Sequence, residues 1–271
     1  MDSHPPSPLS VEQIVADVRR LGVNPGDLLM VHASLRAIGP VDGGAHGVLD
    51  ALEAATSPGG TLFMNLSARD DFGWVNERPE PDRVDLLRDA EPFDSMVTPA
   101  DPDVGVLAEV FRTRPRTIVS DHPEGRFGAS GPLARTLVDD VPWDDYYGPD
   151  SPLERFVHAG GRVLRLGADL GTVTVIHFAE YLVALPIKRR VRRHRMVVGR
   201  EGPEVRIVEC LDDSDGIVDY SEEDYFETIL RDYIAAGRAA AGVVGRAPSE
   251  LIEAADIVAF ATTWMATHLD S

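Results

Sequence analysis

The sequence predicts an α/β protein: a mixed, largely parallel central sheet with helices on both faces. Two observations carry this. Segments with an apolar period near 3.6 alternate along the chain with short, continuous apolar runs, and alternation of this kind places a parallel sheet between helical layers. Gly- and Pro-rich turns separate the two kinds of segment. No internal repeat, low-complexity tract or linker is visible, so one domain is expected over residues 1–271.

Each element has a local reason. In "SVEQIVADVRRLG", Ser10 and Gln13 stand at capping-box spacing and Gly22 ends the pattern, which gives a first helix. "DLLMVHASL" then reads as a buried strand, "GVLDALEAA" as a helix, "SPGG" as a turn and "TLFMNLS" as a second strand. Residues 68–103 are charged, proline-containing and weakly periodic, so they are expected to leave the sheet as a long excursion. "VGVLAEVFR" and "PLARTLVD" resume as helices, and "GRVLRLGA" as a core strand that leads into "TVTVIHFAEYLVAL". "RHRMVV" and "EVRIVECL" flank "GREGP" as a hairpin, and helices are expected at about 221–241 and 249–267.

Composition narrows the function. The chain carries 45 Asp and Glu against 26 Lys and Arg, a formal net charge of −19. Nucleic acid is an unsuitable partner for such a surface, whereas small cations are attracted to it. One cysteine, Cys210, rules out an intrachain disulfide and a cysteine-rich metal site. The start "MDSHPPSPLS" has neither a basic nor an apolar targeting region, and no window is apolar enough to span a bilayer, so a cytoplasmic protein is expected.

Several stretches carry chemistry. In "TVTVIHFAEYLVAL", residues 172–185, His177 and Glu180 leave one helix face at i and i+3, inside an apolar surround. That suits a general base, but it equally suits a buried structural pair or two ligands of a metal. "VHASLRAIGPVDGGAHG", residues 31–47, is a strand, a glycine-containing loop and a helix start able to face an anion, although it matches neither the Walker loop nor the dinucleotide fingerprint. "SDHPEGRFGASG" places His122 in a glycine-rich loop. The basic run "KRRVRRHR" at 188–195 is expected to pair with acids nearby. Acid gathers at 69–71 and at 212–224 and would suit a polycation. No G-x-S-x-G elbow is present, so an acyl-enzyme serine is unsupported.

Taken in order, "LGVNPGDLLMVHASLRAIGPVDGG", "GGTLFM", "FDSMVTPADPDVGVLAEVFR", "DHPEGRFGASGP", "DSPLERF" and "TVTVIHFAE" resemble the antibiotic N-acetyltransferase family, whose best-known members acetylate the 3-amino group of aminoglycosides. The resemblance spans nearly the whole chain. It implies a fold distinct from the commoner GNAT acetyltransferases and direct transfer from acetyl-CoA, without a metal, to a small polycationic amine. It matches His177 to the catalytic base and Glu180 to the acid that orients it or holds a substrate ammonium. Thr174 would then serve the oxyanion.

The same resemblance places His32, Ala33, Ser34, Leu35, Arg36, Gly39 and Val41, with Ser120, His122 and Phe127, along the coenzyme. It assigns Asp70, Asp71, Asp213 and Asp215 to the aminoglycoside's ammonium groups. The part of the excursion at 68–90 is longer than compact family members require and is expected to form part of the substrate cleft, with Trp74 as a wall. Two residues depart from the family's usual pattern: Val173, where relatives commonly carry Asn, and Arg126, where they often carry Ser. The alternatives are the same transfer to another small primary amine, a metal-dependent hydrolase using His122, His177 and Glu180, and a non-catalytic coenzyme-binding module. A monomer or homodimer fits all of them.

Overall fold

The computed structural model describes residues 7–220 and 224–269. The first helix, α1 (Val11–Leu21), has the expected capping box, Ser10 and Gln13 exchanging bonds of 3.2 and 2.7 Å, and stops at Gly22 with φ 117°. Strand β1 (Leu28–Ala33) passes through the short α2 (Leu35–Ile38) into α3 (Gly44–Thr56), and β2 (Thr61–Asn65) follows. The excursion contains α4 (Glu80–Leu86), and the chain regains the sheet through α5 (Val106–Arg112), β3 (Ile118–Val119) and β4 (Phe127–Ser130). Helices α6 (Ala134–Val138) and α7 (Pro152–His158) precede β5 (Arg162–Leu166) and α8 (Ile176–Leu182). A separate hairpin, β6 (Arg190–Val198) and β7 (Pro203–Leu211), leads to α9 (Tyr225–Ala235), β8 (Ala240–Val244), β9 (Ala247–Glu253) and α10 (Ala254–His268).

The main sheet runs β3-β4-β2-β1-β5-β9-β8. At its centre β1 pairs in parallel with β2 and β5, while β4 and β9 run against their neighbours. Side chains alternate strictly across it. Leu29 and Val31 join Ile14, Val18, Leu52 and Phe111, so α1, α3 and α5 cover that face. Leu28 and Met30 join Phe63, Phe156, Phe178 and Ile257, so α7, α8 and α10 cover the other. Slipping β1 by one residue would exchange the two sets, which is why its register is fixed by burial on both sides.

Three helical expectations need correcting. The segment 249–267 is a strand to Glu253 before it is a helix, because Leu251 pairs with Leu164 of β5 and with Ala240 of β8. Ladder bonds on both edges override the helical propensity of "SELIEAA". Between 221 and 241 the helix is Tyr225–Ala235 and β8 takes the end, with 221–223 outside the described residues. The helix at 172–185 is also shorter than expected. Thr172–Val175 is β-branched throughout and forms tight turns, with Ile176 and His177 donating to Val173 and Thr174 at 3.0 Å each. No helix among the described residues is long and apolar enough to cross a membrane.

The excursion is tied to the hairpin. Asn76 exchanges bonds with the His194 backbone, and Phe93 bonds with Met196 and Val198 at 2.9 and 3.1 Å. Arg126, fully buried, gathers the other side: its guanidinium donates to the carbonyls of Ser67, Ser95, Thr98 and Pro99 at 2.7–3.3 Å and lies over the Phe93 ring.

Candidate active site

The carboxyl ends of β1, β2 and β5 point at one place, the usual ligand edge of a parallel sheet. There α8 presents His177 and Glu180. Glu180 is 1% exposed and accepts from His177 Nδ1 at 2.7 Å. A carboxylate can only accept, so Nδ1 carries the proton and Nε2 is left with its lone pair. The other Glu180 oxygen accepts from Tyr225, whose hydroxyl in turn accepts from the Ile217 amide at 3.2 Å. Rings of Tyr147 and Phe226 clamp the imidazole, with centroids 5.0 and 4.6 Å away. Burial alone would depress the His177 pKa. The Glu180 carboxylate, with Asp213 and Asp224 behind it, outweighs that and raises it.

Removing the Tyr225 hydroxyl takes one charged hydrogen bond from Glu180 without touching His177. Tyr225→Phe is expected to lower kcat about 10-fold, the worth of ~1.4 kcal/mol, and to leave both KM values unchanged in steady-state assays.

Three cavities meet at His177 and Asp213. The largest, about 940 Å³, is acidic: eight carboxylates face five arginines around it. The second, about 750 Å³, runs past His32, Ala33, Ser34, Leu35 and Arg36 at the end of β1 and past Gly105, Val106 and Thr174 opposite. The third, about 230 Å³, opens behind Glu180 toward Tyr220 and Asp224.

The arginines of the basic run on β6 pair with acid, as the sequence suggests, whereas Lys188 just before β6 donates to the Glu180 and Tyr181 carbonyls. Arg193 meets Asp213, Arg195 meets Asp70 and Glu124, Arg192 meets Glu80, and Arg190 meets Asp145 and Glu209. These pairs fix the wall of the acidic cavity. Tyr146 braces it by donating to Asp213 at 2.5 Å, and burial, then Asp213, push the Tyr146 phenol far above its usual pKa.

The candidate residues therefore divide. His177, Glu180, Thr174, the 32–36 segment, Asp70, Asp213 and Asp215 border the three cavities. Gly39 and Val41 do not: Gly39 ends α2 beside Arg246, and Val41 is in the core. Ser120, His122 and Phe127 are also withdrawn. His122 Nδ1 accepts from the Glu124 and Gly125 amides at 3.1 and 2.7 Å, its Nε2 bonds the Trp143 carbonyl, and Ser120 Oγ bridges Gly125 and Phe127. Phe127 stacks on Phe63 in the core. This loop uses its own polar side chains to hold its turn. Asp71 pairs with Arg69 and Trp74 with Phe72 and Arg78 outside the acidic cavity, whose excursion wall is instead Gly73, Asn76, Glu77 and Glu80. Among the described residues no group of three His, Cys, Asp or Glu side chains is arranged to hold a metal. Sequence reasoning missed Tyr147, Tyr225, Phe226 and Glu124, for which no local signal exists.

Comparison with known proteins agrees with this architecture. The family profile described as aminoglycoside 3-N-acetyltransferase matches residues 30–266. Aminoglycoside N(3)-acetyltransferase III of Serratia marcescens is 44% identical over 266 residues, covering 96% of this chain and 98% of that protein. The structure of AAC-IIIb in a binary complex with CoASH superposes with a TM-score of 0.90 at 36% identity, covering 96% of this chain and 97% of that one. AAC-VIa bound to sisomicin gives 0.88 at 36% identity, with 97% and 99% covered. Extent, identity and fold together place the chain in the aminoglycoside 3-N-acetyltransferase family, a family of acyltransferases.

Proposed function

We propose that the protein transfers the acetyl group of acetyl-CoA to the 3-amino group of an aminoglycoside, with His177 as general base. The observation that carries this reading is the position of His177 at the junction of an acidic cavity and a long cleft. A polycationic amine is drawn to the first, and the second has the volume and mixed lining for a pantetheine arm. Relatives support the assignment, one solved with CoASH and one with sisomicin.

At neutral pH an aliphatic amine is mostly protonated and not nucleophilic. His177 Nε2 takes the proton from nitrogen as it attacks the thioester carbonyl, and Glu180 holds the ring in the productive tautomer and stabilises the imidazolium. Thr174, on the turn before α8, borders the same cleft, and in this reading its hydroxyl meets the developing oxyanion. The sulfur then leaves with that proton as free CoA thiol. Acetylation removes a positive charge and a hydrogen-bond donor that the drug needs for RNA, so the expected outcome is resistance.

Arg36 is exposed and is the only lysine or arginine bordering the coenzyme cleft among the described residues. Arg36→Ala is expected to raise the KM for acetyl-CoA about 5–10-fold, ~1–1.4 kcal/mol, with kcat unchanged, and the difference should shrink in high salt.

The deciding experiment is thiol release from acetyl-CoA against aminoglycosides with and without a free 3-amino group. Release only when that group is free supports the reading, and release with simple primary amines alone would replace it.

A further inference from the structure

Acetylation of an ammonium is not neutral in protons. R–NH3⁺ and CH3C(O)–S–CoA give R–NH–C(O)CH3, CoA–SH and one H⁺. The ammonium nitrogen loses two protons, one that ends on the thiol sulfur and one that must reach solvent. With an aminoglycoside in the acidic cavity and coenzyme in the cleft, both wide openings beside His177 are filled. The imidazole faces are covered too, by Tyr147 and Phe226.

Among the described residues a third opening reaches His177. The third cavity reaches His177 and Glu180 from behind, between the 213–220 loop and the start of α9, and its volume of about 230 Å³, the smallest of the three, admits water. Asp215 and Asp224 border it and are solvent-exposed. We infer that this cavity is the proton exit of the enzyme, with Asp224 a positioning residue that receives the proton from the His177–Glu180 pair through water. The inference rests on the proposed transfer. The sequence of steps balances as follows: the ammonium gives its first proton to His177 Nε2; that proton leaves Nε2 to water of the third cavity while Nδ1 stays protonated on Glu180; the free amine forms the C–N bond; its second proton passes to Nε2 and then to sulfur as the C–S bond breaks.

Two variants test it. Asp224→Asn keeps an oxygen to cap the Phe226 amide, which Asp224 holds at 2.8 Å, but loses the proton acceptor. Val218→Phe fills the cavity from a side chain outside the other two. Both are assayed at saturating substrates for thiol release and, with an indicator dye, for proton release. Expected for Asp224→Asn is a several-fold fall in kcat in dilute buffer, recovered by tens of millimolar imidazole buffer, with neither KM changed. For Val218→Phe a similar fall is expected, with a larger solvent deuterium effect than wild type. Folded variants that keep the wild-type kcat, or that change KM instead, overturn the exit. Absence of any thiol release by wild type would overturn the transfer reading itself, whereas wild-type turnover with unaffected variants sinks only the exit.

Discussion

His177→Ala is expected to lower kcat/KM for acetyl transfer by about 10²–10⁴-fold, the usual worth of a positioned general base, while leaving coenzyme binding intact. The side chain carries no backbone bond of its fold, so the loss in turnover should far exceed what any lowered melting temperature, from the void and the unpaired Glu180, explains. Its pH dependence follows from the raised pKa. The base works only when neutral, so wild-type kcat/KM should fall as pH drops through a value above the ordinary 6.5 of histidine. In Glu180→Gln the carbonyl still accepts from Nδ1, but the charge that raises the pKa is gone. Its acidic limb should therefore move to lower pH while the plateau falls, because the imidazolium has lost its counter-charge. A profile that does not move, in a variant that still turns over, would show that Glu180 does not set the base.

Arg126→Ser is expected to have the largest effect on stability. Burial first, and then neighbouring Arg112, push the Arg126 pKa down to about 10, which still leaves it charged at neutral pH. Its charge is tolerated because four carbonyls, from Ser67, Ser95, Thr98 and Pro99, accept from it and the Phe93 ring lies beneath. A serine reaches none of them and leaves a void. The loss should be about 2–4 kcal/mol, or about 5–15 °C in melting temperature, measurable by calorimetry. Ser67, one of those acceptors, has φ 45° and borders the acidic cavity. Its strained backbone needs such fixing, so the KM for aminoglycoside should rise in the same variant while that for acetyl-CoA stays level. A variant with the wild-type melting temperature would remove Arg126 from this role.

What was legible in the sequence was local. The Ser10–Gln13 box, the apolar strands and the His177–Glu180 spacing are patterns within a few residues, and the structure keeps them. What was not legible depends on partners far along the chain. Tyr225 reaches Glu180 from 45 residues away, and β9 exists because β5 and β8 flank it. The His122 loop misleads for a different reason. A histidine before proline and glycine looks like a site residue, yet the tight turn takes up its Nδ1 and the carbonyl of sequence-distant Trp143 its Nε2. Arg126 was visible as a departure in a resemblance, but its role needed the excursion folded over it.

The row of arginines on β6 has a consequence for how such a protein can change. Each guanidinium holds carboxylates that would otherwise be open to a ligand, as Arg195 holds Asp70 and Glu124 and Arg193 holds Asp213. Losing one arginine would release negative charge at one point on the wall, and gaining one would cancel it. The pattern of cations a ligand must carry is thus written on one strand of the hairpin, while the proton chemistry sits on α8. Drift in one can alter the drug repertoire without disturbing the other.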